Sequence, residues 1–478
     1  MSNSFMSSTF MNTTVVILAA GLGTRMRSKR AKVLHRAGGL ALVEHVAAAA
    51  AAVAPHDRTI AVTGHQAEEV EAILEPRGIG FVRQIGQKGT GHALAACRER
   101  LQSLDGLLMV LYGDTPLLSP ATLHRLRDLQ SASGAAATLI TTTLEDPSGY
   151  GRVILNGHGD VTAIVEEKAA TPAQKSIQVI NSGIYCFQAP LLWRHIVELR
   201  PNAASGELYL TDMAEILTRH GHRVGALHIE DPDELLGINT RVELADADRV
   251  LRERKCRELM LEGVTIERPE TVTIDMHVRV GVDTVVEPFT RLLGSTQIGE
   301  ECRIGAGAIL ESSVLADRVV VAPYTIVANS RIETGAQVGP FARLRPESHV
   351  GPDAHVGNFV ELKKTHLGRG AKSQHLAYIG DSEIGAGVNI GAGTIFCNYD
   401  GQKKHKTRIG ERAFIGSNST LVAPIEIGPD SYVGAGSVIT GDVPAEALAL
   451  GRARQVVKPG WVKNRKKEPA PLNSKDGK

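Results

Sequence analysis

Aromatic residues are scarce: nine Phe, eight Tyr and two Trp make up 4% of 478 residues. Set beside 49 glycines, that shortage points to a part of the chain built from tight, small-residue turns. Cysteines are few and scattered (Cys97, Cys186, Cys256, Cys302 and Cys397). No CxxC or Cys/His ligand spacing appears, so the cysteines indicate neither a disulfide frame nor a zinc site and fit a reducing compartment. Charge of one sign is not in excess either. With 53 basic against 52 acidic residues the net charge is +1, so nothing draws the whole chain to nucleic acid or to a membrane surface. No apolar run approaches the roughly 18 residues that span a bilayer. Residues 1–12 lack the basic start and apolar core of a signal peptide. They read as a disordered extension, with Met11 as an alternative start.

What remains is ordinary soluble composition, 43% hydrophobic and 22% charged, over a length that predicts two or more domains. The two halves follow different patterns. In the first, short apolar runs at Val15–Ala20, Thr59–Thr63 and Leu107–Leu111 alternate with helical stretches such as Val43–Val53. That alternation predicts βα units around a mostly parallel sheet, with ligands beyond the carboxyl ends of its strands. A charged helix over 242–262 reads as a linker closing this domain at about residue 241. Beyond it, Ile409, Ile415, Leu421, Ile427, Val433 and Ile439 recur every six residues, and Gly410, Gly416, Gly428 and Gly434 follow four of them. Ile298, Ile304 and Leu310 keep the same step, as do Val350 with Val356 and Ile384 with Ile390. Six-residue periodicity predicts a solenoid over 263–460, with the branched residues pointing inward and Gly permitting the corners. The basic stretch 461–478 reads as a solvated tail.

Directly after the first apolar run comes LAAGLGTRM, Leu18 to Met26. Gly21 and Gly23 let backbone approach a phosphate, and Arg25 and Lys32 supply positive charge. The spacing is neither GxGxxG nor GxxxxGK[ST], so neither a dinucleotide fold signature nor a Walker loop is present. Tyr112, Gly113 and Asp114 end the LLMVL run, where an acid is placed to hold Mg²⁺ between phosphates. Gln84 to Gly91 forms a polar, Gly-rich loop suited to reading a base edge.

These segments resemble the sugar-nucleotidyltransferase family, whose LxxGxGTRM and PKxL are matched by LAAGLGTRM and AKVL; Ala31 stands where Pro is usual and leaves Lys32 in register. GYGR, IVEEK, INSGIY and GINTR (from Gly149, Ile164, Ile180 and Gly237) resemble its uridylyltransferase branch. The resemblance implies that Leu18, Ala19, Ala20, Gly21, Lys32, Gln84, Gly89, Thr90, Tyr112 and Gly113 bind the uridine nucleotide. It implies that Gly151, Glu166 and Asn181 hold the sugar, that Asp114 and Asn239 hold Mg²⁺, and that Arg25 and Lys32 assist catalysis. An attacking sugar phosphate is already anionic, so such a site needs alignment and charge neutralisation rather than a general base.

In the second half the rhythm breaks over 357–380 and again over 393–409, and breaks in a repeat map to loops on a binding face. They hold Glu361, Lys363, His375, Tyr378, Asn398 and Tyr399, with Arg345 close by in FARLRP. The repeat and these blocks are similar to the left-handed β-helix acyltransferases. GPFARLRP, HVGNFVELKK, NIGAGTIFCNYDG and IGSNSTLVAP, joined to the first half, resemble a bifunctional family. Its members are N-acetylglucosamine-1-phosphate uridylyltransferases and glucosamine-1-phosphate N-acetyltransferases. That resemblance implies His375 as general base, oriented by Glu361. An imidazole suits the task, because the amine must be neutral to attack a thioester. It implies Arg345, Lys363, Tyr378 and Asn389 around the glucosamine phosphate, and Ala392, Asn398, Tyr399, Ser417, Ala435 and Arg452 around acetyl-CoA. Cys397 raises an acyl-cysteine route, which direct transfer from CoA to an amine does not require.

The expectation is therefore an α/β nucleotidyltransferase domain with a Rossmann-like mixed sheet, followed by a left-handed parallel β-helix of hexapeptide repeats. The implied co-substrates are UTP and acetyl-CoA, the metal Mg²⁺, the assembly a homotrimer and the location the cytoplasm, with no nucleic acid and no membrane span. Two rivals stay open: a nucleotidyltransferase whose solenoid is only structural, and a non-enzymatic scaffold of the kind found in translation-initiation exchange factors.

Overall fold

The computed structural model describes residues 13–203 and 205–465, so the expected N-terminal extension and most of the basic tail lie outside the described residues. The chain forms two compact units: one reaches Leu259 and includes Thr273–Val278, and the other takes Met260–Val272 and the chain from Arg279.

The first unit is built on a sheet of nine strands: β1 Thr13–Leu18, β2 Thr59–Thr63, β3 Gly80–Arg83, β4 Leu107–Tyr112, β5 Ala137–Thr143, β6 Arg152–Leu155, β7 Val161–Val165, β8 Val179–Gln188 and β9 Val224–His228. The order is β9-β5-β8-β4-β1-β2-β3, with the β6–β7 hairpin branching from β8. Every residue of β1 is buried, because β1 lies between parallel neighbours β2 and β4 and both its faces are covered. Alternation sorts its side chains: Val15 and Ile17 join one apolar core, Val16 and Leu18 the other. Each such fully buried aliphatic side chain contributes roughly 1.5–3 kcal/mol. The sheet is mixed as expected, because β8 runs antiparallel to both β4 and β5. Helix Arg241–Leu261 packs onto this unit: Ala247 and Leu251 share a core with Ala37, Leu42, Leu117 and Ile238.

The second unit is a continuous stack of short parallel strands. On one face Gln337 pairs with His355, His355 with Lys372, and Lys372 with Asn389, so each coil advances seventeen or eighteen residues. The apolar positions of the six-residue rhythm point inward: Ile304, Leu310, Val350, Val356, Ile415, Leu421, Ile427 and Val433 are fully buried. Some glycines, Gly393 and Gly436 among them, turn corners as expected. Many corners are turned by larger residues in the left-handed region, among them Tyr324, Phe341, Phe359 and Leu376. The glycines after the apolar residues sit instead where neighbouring coils nearly touch. A Cβ on Gly416 would lie 2.4 Å from the amide nitrogen of Ala435.

The first break in the rhythm is not a loop. Glu361–Leu367 and Tyr378–Ile384 are seven-residue strands, paired in parallel, that stay within the stack. Leu362, Leu367, Ile379 and Ile384 face inward there, so the coil continues with longer strands. The second break is a real excursion: Asn389 pairs with Phe414, leaving room for a projection in which Tyr399 bridges Lys404. Among the described residues no helix is long and apolar enough to cross a membrane, and all five cysteines are free.

Candidate active sites

At the carboxyl ends of β1 and β4 the LAAGLGTRM loop and Asp114 meet, tied by the amide of Gly113 donating to the carbonyl of Leu18 at 2.9 Å. They border a cleft of about 620 Å³ whose walls include Leu18, Ala20, Gly21, Lys32, Gln84, Gly89, Thr90, Tyr112, Asp114 and Glu166. Ten residues read from widely separated segments thus share one wall. Ala19 and Gly113 do not line it, and the Ala19 amide donates to the Val62 carbonyl at 2.9 Å.

The polar centre of the cleft is Lys32. Its Nζ pairs with Asp114 Oδ2 and donates to Asn239 Oδ1 at 3.0 Å, while Arg25 Nη2 donates to the same oxygen at 2.9 Å. A carboxylate and an amide oxygen therefore face one cation. The Asp114 carbonyl also accepts from the Ile238 amide at 2.9 Å, which holds GINTR against YGD.

The Gly-rich loop is held from the far side. Gln84 Nε2 donates to the Gly89 carbonyl at 3.2 Å, and Thr90 Oγ1 accepts from the Leu210 amide at 3.1 Å. Gly89 has φ 93°, and a Cβ there would lie 2.5 Å from the Leu208 carbonyl oxygen, so only glycine fits. Asn181 Nδ2 donates to Tyr185 Oη at 2.7 Å, and the Asn181 amide donates to the Gly151 carbonyl at 2.9 Å. Glu166 accepts from Thr211 Oγ1 at 3.0 Å. Burial pushes its carboxyl above the usual range, and the charges of Asp212 and Glu207 push the same way. Gln87, Glu207 and Tyr209 also line the cleft. Gln87 was within reach of the sequence, since it belongs to the QIGQKGTG loop, whereas nothing marked the other two.

On the solenoid, His375 stands in a column. Asn358, His375, Ala392, Ser417 and Ala435 each precede a residue with positive φ (Phe359, Leu376, Gly393, Asn418 and Gly436), so they occupy one corner on successive coils. Backbone bonds stitch that corner: the Leu376 amide to the Asn358 carbonyl at 3.0 Å, Asn418 to Ala392 at 2.7 Å, and Gly436 to Ser417 at 2.8 Å. Arg452 Nη1 caps the column on the Ala435 carbonyl at 2.8 Å. Three small residues and an arginine thus continue directly from the histidine.

The partner of His375 is not the expected one. Its Nδ1 lies 2.8 Å from Asn358 Oδ1, whereas Glu361 takes Arg345 Nη1 at 2.9 Å. Register explains this: Asn358 pairs with His375, and Glu361 with Tyr378. Asn358 lies one coil before His375 in the HVGNFVELKK string and could have been found by counting a coil. Nearby, Lys363 Nζ lies 3.8 Å from Asp381 Oδ2. Asn398 bonds Asp381 and reaches Tyr378 Oη at 3.4 Å. Asn389 is half-buried on its own strand, and Tyr399 is exposed. A separate open groove of about 670 Å³, lined by His349, His366 and Arg408 among others, holds none of the expected residues.

Residues 15–222 match the MobA-like NTP transferase domain. Residues 272–322 match the hexapeptide repeat of succinyl-transferase, and 406–441 the bacterial transferase hexapeptide. The chain is 57% identical over 95% of its length to the bifunctional protein GlmU of Solibacter usitatus, covering 97% of that protein. It is 49% identical to the one of Koribacter versatilis, over 95% of this chain and 97% of the relative. The chain belongs to the bifunctional GlmU family. The GlmU proteins of more distant bacteria keep the same span: that of Pelobacter propionicus is 44% identical over 96% of this chain and 99% of its own. The solenoid is accordingly a hexapeptide-repeat left-handed β-helix, and both halves of the chain are transferase modules of a GlmU enzyme. The two rival readings fall with this, since the match embraces both modules together.

Proposed function

We propose how the two sites divide the work of a GlmU enzyme, which acetylates glucosamine-1-phosphate and then uridylylates the product, giving UDP-N-acetylglucosamine and pyrophosphate for cell-envelope precursors. Acetyl transfer is assigned to the solenoid. The observation that carries it is the shared corner of His375, Ala392, Ser417 and Ala435. Small side chains leave a strip on which an extended pantetheine arm can lie, ending beside an imidazole. Nδ1–H of His375 donates to Asn358, so Nε2 is the free base. It takes the proton as the substrate amine attacks the thioester carbonyl; the new C–N bond forms, the C–S bond breaks and CoA leaves as thiolate. Arg345, Lys363 and Tyr378, from successive coils of one face, receive the sugar phosphate, and Asn389 completes that pocket. Asn398, Tyr399 and Arg452 complete the acetyl-CoA surface.

Uridylyl transfer is assigned to the cleft of the first unit. The Gln84–Thr90 loop binds the base, Gly21 and its neighbours take the phosphates, and Gly151, Glu166 and Asn181 hold the N-acetyl sugar. Lys32 and Arg25 neutralise charge as the sugar phosphate displaces pyrophosphate. Asp114 and Asn239 offer two hard oxygen donors already gathered around the Lys32 ammonium. They suit Mg²⁺, which supplies further charge neutralisation when bound.

A single solenoid face is shallow for so long a cofactor, and a homotrimer with acetyl-transfer sites between chains supplies the missing wall. Free, mostly buried cysteines suit the reducing conditions of the proposed cytoplasmic location. The test is a mass-spectrometric product assay with glucosamine-1-phosphate, acetyl-CoA, UTP and Mg²⁺. Wild type makes UDP-N-acetylglucosamine, His375→Ala does so only from N-acetylglucosamine-1-phosphate, and Asp114→Ala stops at that intermediate. Acetyl transfer by His375→Ala at the wild-type rate would overturn the assignment.

A further inference from the structure

Away from the cleft, three potential metal ligands converge on the first unit. His195 ends the helix Ala189–His195, Glu198 closes the turn after it, and His220 follows the helix Asp212–Arg219. His195 Nδ1 lies 2.8 Å from Glu198 Oε1, and His220 Nε2 lies 2.9 Å from the same oxygen. The three donor atoms all fall within 4.8 Å of one another. A tetrahedral ion with bonds of about 2.0–2.1 Å holds its ligand atoms ~3.4 Å apart, so a small outward movement opens the required space. The side chain of His195 is 7% exposed, and its Nε2 has no hydrogen-bond partner among the described residues. His220 is more open and faces His195 with ring centroids 4.3 Å apart; His222 stands edge-on to His195 at 5.5 Å. Among the described residues the strong competitor for the carboxylate is Arg219, 3.0 Å from Glu198 Oε2, and its side chain is 59% exposed and able to swing out.

We propose that His195, Glu198 and His220 form a binding site for a borderline divalent transition-metal ion, Zn²⁺ being the fittest. Two imidazoles and one carboxylate suit Zn²⁺, Co²⁺ or Ni²⁺ and disfavour Mg²⁺, so the site is chemically distinct from Asp114 and Asn239. Water, or His222 after a ring rotation, completes the coordination.

Placement gives the site a consequence. Its ligands lie at the two ends of the segment 198–220, and the middle of that segment walls the nucleotide cleft. The Leu208 amide donates to the Lys88 carbonyl at 2.7 Å, and the Leu208 carbonyl accepts from the Gly91 amide at 2.8 Å. Glu207 and Tyr209 line the cleft, and Thr211 holds Glu166. An ion bridging residues 195, 198 and 220 staples this wall and limits how far it opens.

The test uses the untagged full chain, stripped with EDTA, dialysed and titrated with Co²⁺ in excess Mg²⁺. One equivalent of Co²⁺ should develop the visible bands of a four- or five-coordinate ion, which Zn²⁺ bleaches. His220→Ala should weaken binding at least tenfold with an unchanged circular dichroism spectrum, and Glu198→Gln should do the same. No bands in wild type, or equal binding by His220→Ala, overturns the site. Hydrogen exchange of residues 206–212 should slow with Zn²⁺ in wild type but not in His220→Ala. Binding without that protection overturns the staple.

Discussion

Asn358 Oδ1 lies 2.8 Å from His375 Nδ1, one coil below it on the same corner of the solenoid. The bond fixes which imidazole nitrogen carries the proton and which way the ring points. Asn358→Ala should lower the acetyl-transfer kcat about tenfold, the scale of one lost hydrogen bond. KM and uridylyl transfer should be unchanged. Asn358→Asp, which keeps an acceptor oxygen, should retain more activity; coupled assays of CoA and pyrophosphate release read both steps on one sample.

Lys32 contacts both Asp114 and Asn239, so its removal leaves Asp114 without its ammonium partner and Asn239 Oδ1 to Arg25, and on the proposed assignment takes a cation from the reacting phosphates. Lys32→Met should cost uridylyl transfer about 10²–10³-fold in kcat. Acetyl transfer, measured as CoA release, should be unaffected.

Glu166 carries a carboxyl that burial pushes above the usual range. A raised folded value means the native state holds its proton more tightly than the unfolded chain. The stability this group contributes is therefore full below the ordinary Glu value of about 4.3 and lost as pH rises through the folded value. Glu166→Gln should melt above wild type at pH 7, with the gap closing as pH falls toward 4. The same variant should raise KM for N-acetylglucosamine-1-phosphate, since it changes a group assigned to the sugar.

Gly416 sits against the Ala435 amide, with no room for a Cβ. Gly416→Ala should destabilise the protein by about 1–3 kcal/mol in denaturant unfolding. By forcing apart the coils of Ser417 and Ala435 it should also raise KM for acetyl-CoA more than it lowers kcat.

Much of this was legible in the sequence because the signals were local. VVILAA, TIAVT and LLMVL are strands in the structure, allowing for a two-residue shift of the first to Thr13–Leu18. The six-residue rhythm marked inward positions that are indeed buried. What escaped depends on contacts between distant residues. The antiparallel β8 and the β6–β7 hairpin have no periodic signature, and β6 begins with Arg152, fully buried against Glu167 at 2.8 Å. A pattern reading places arginine outside. The stretch 357–380 read as a loop because its polar residues hid inward-facing Leu362, Leu367, Ile379 and Ile384. The resemblance points to Glu361 as the partner of His375, whereas coil register hands that place to Asn358.

The corner column from His375 through Ala392 and Ser417 to Ala435 is a ruler whose graduation is the spacing of β-strands, ~4.8 Å. Three graduations separate His375 from Ala435, ~14 Å by that spacing. With acetyl-CoA lying along this column, as proposed, the reach of the acyl carrier is counted in whole coils. Adding or deleting one coil would reset which carrier length delivers its thioester to the histidine, without altering a single side chain at either end.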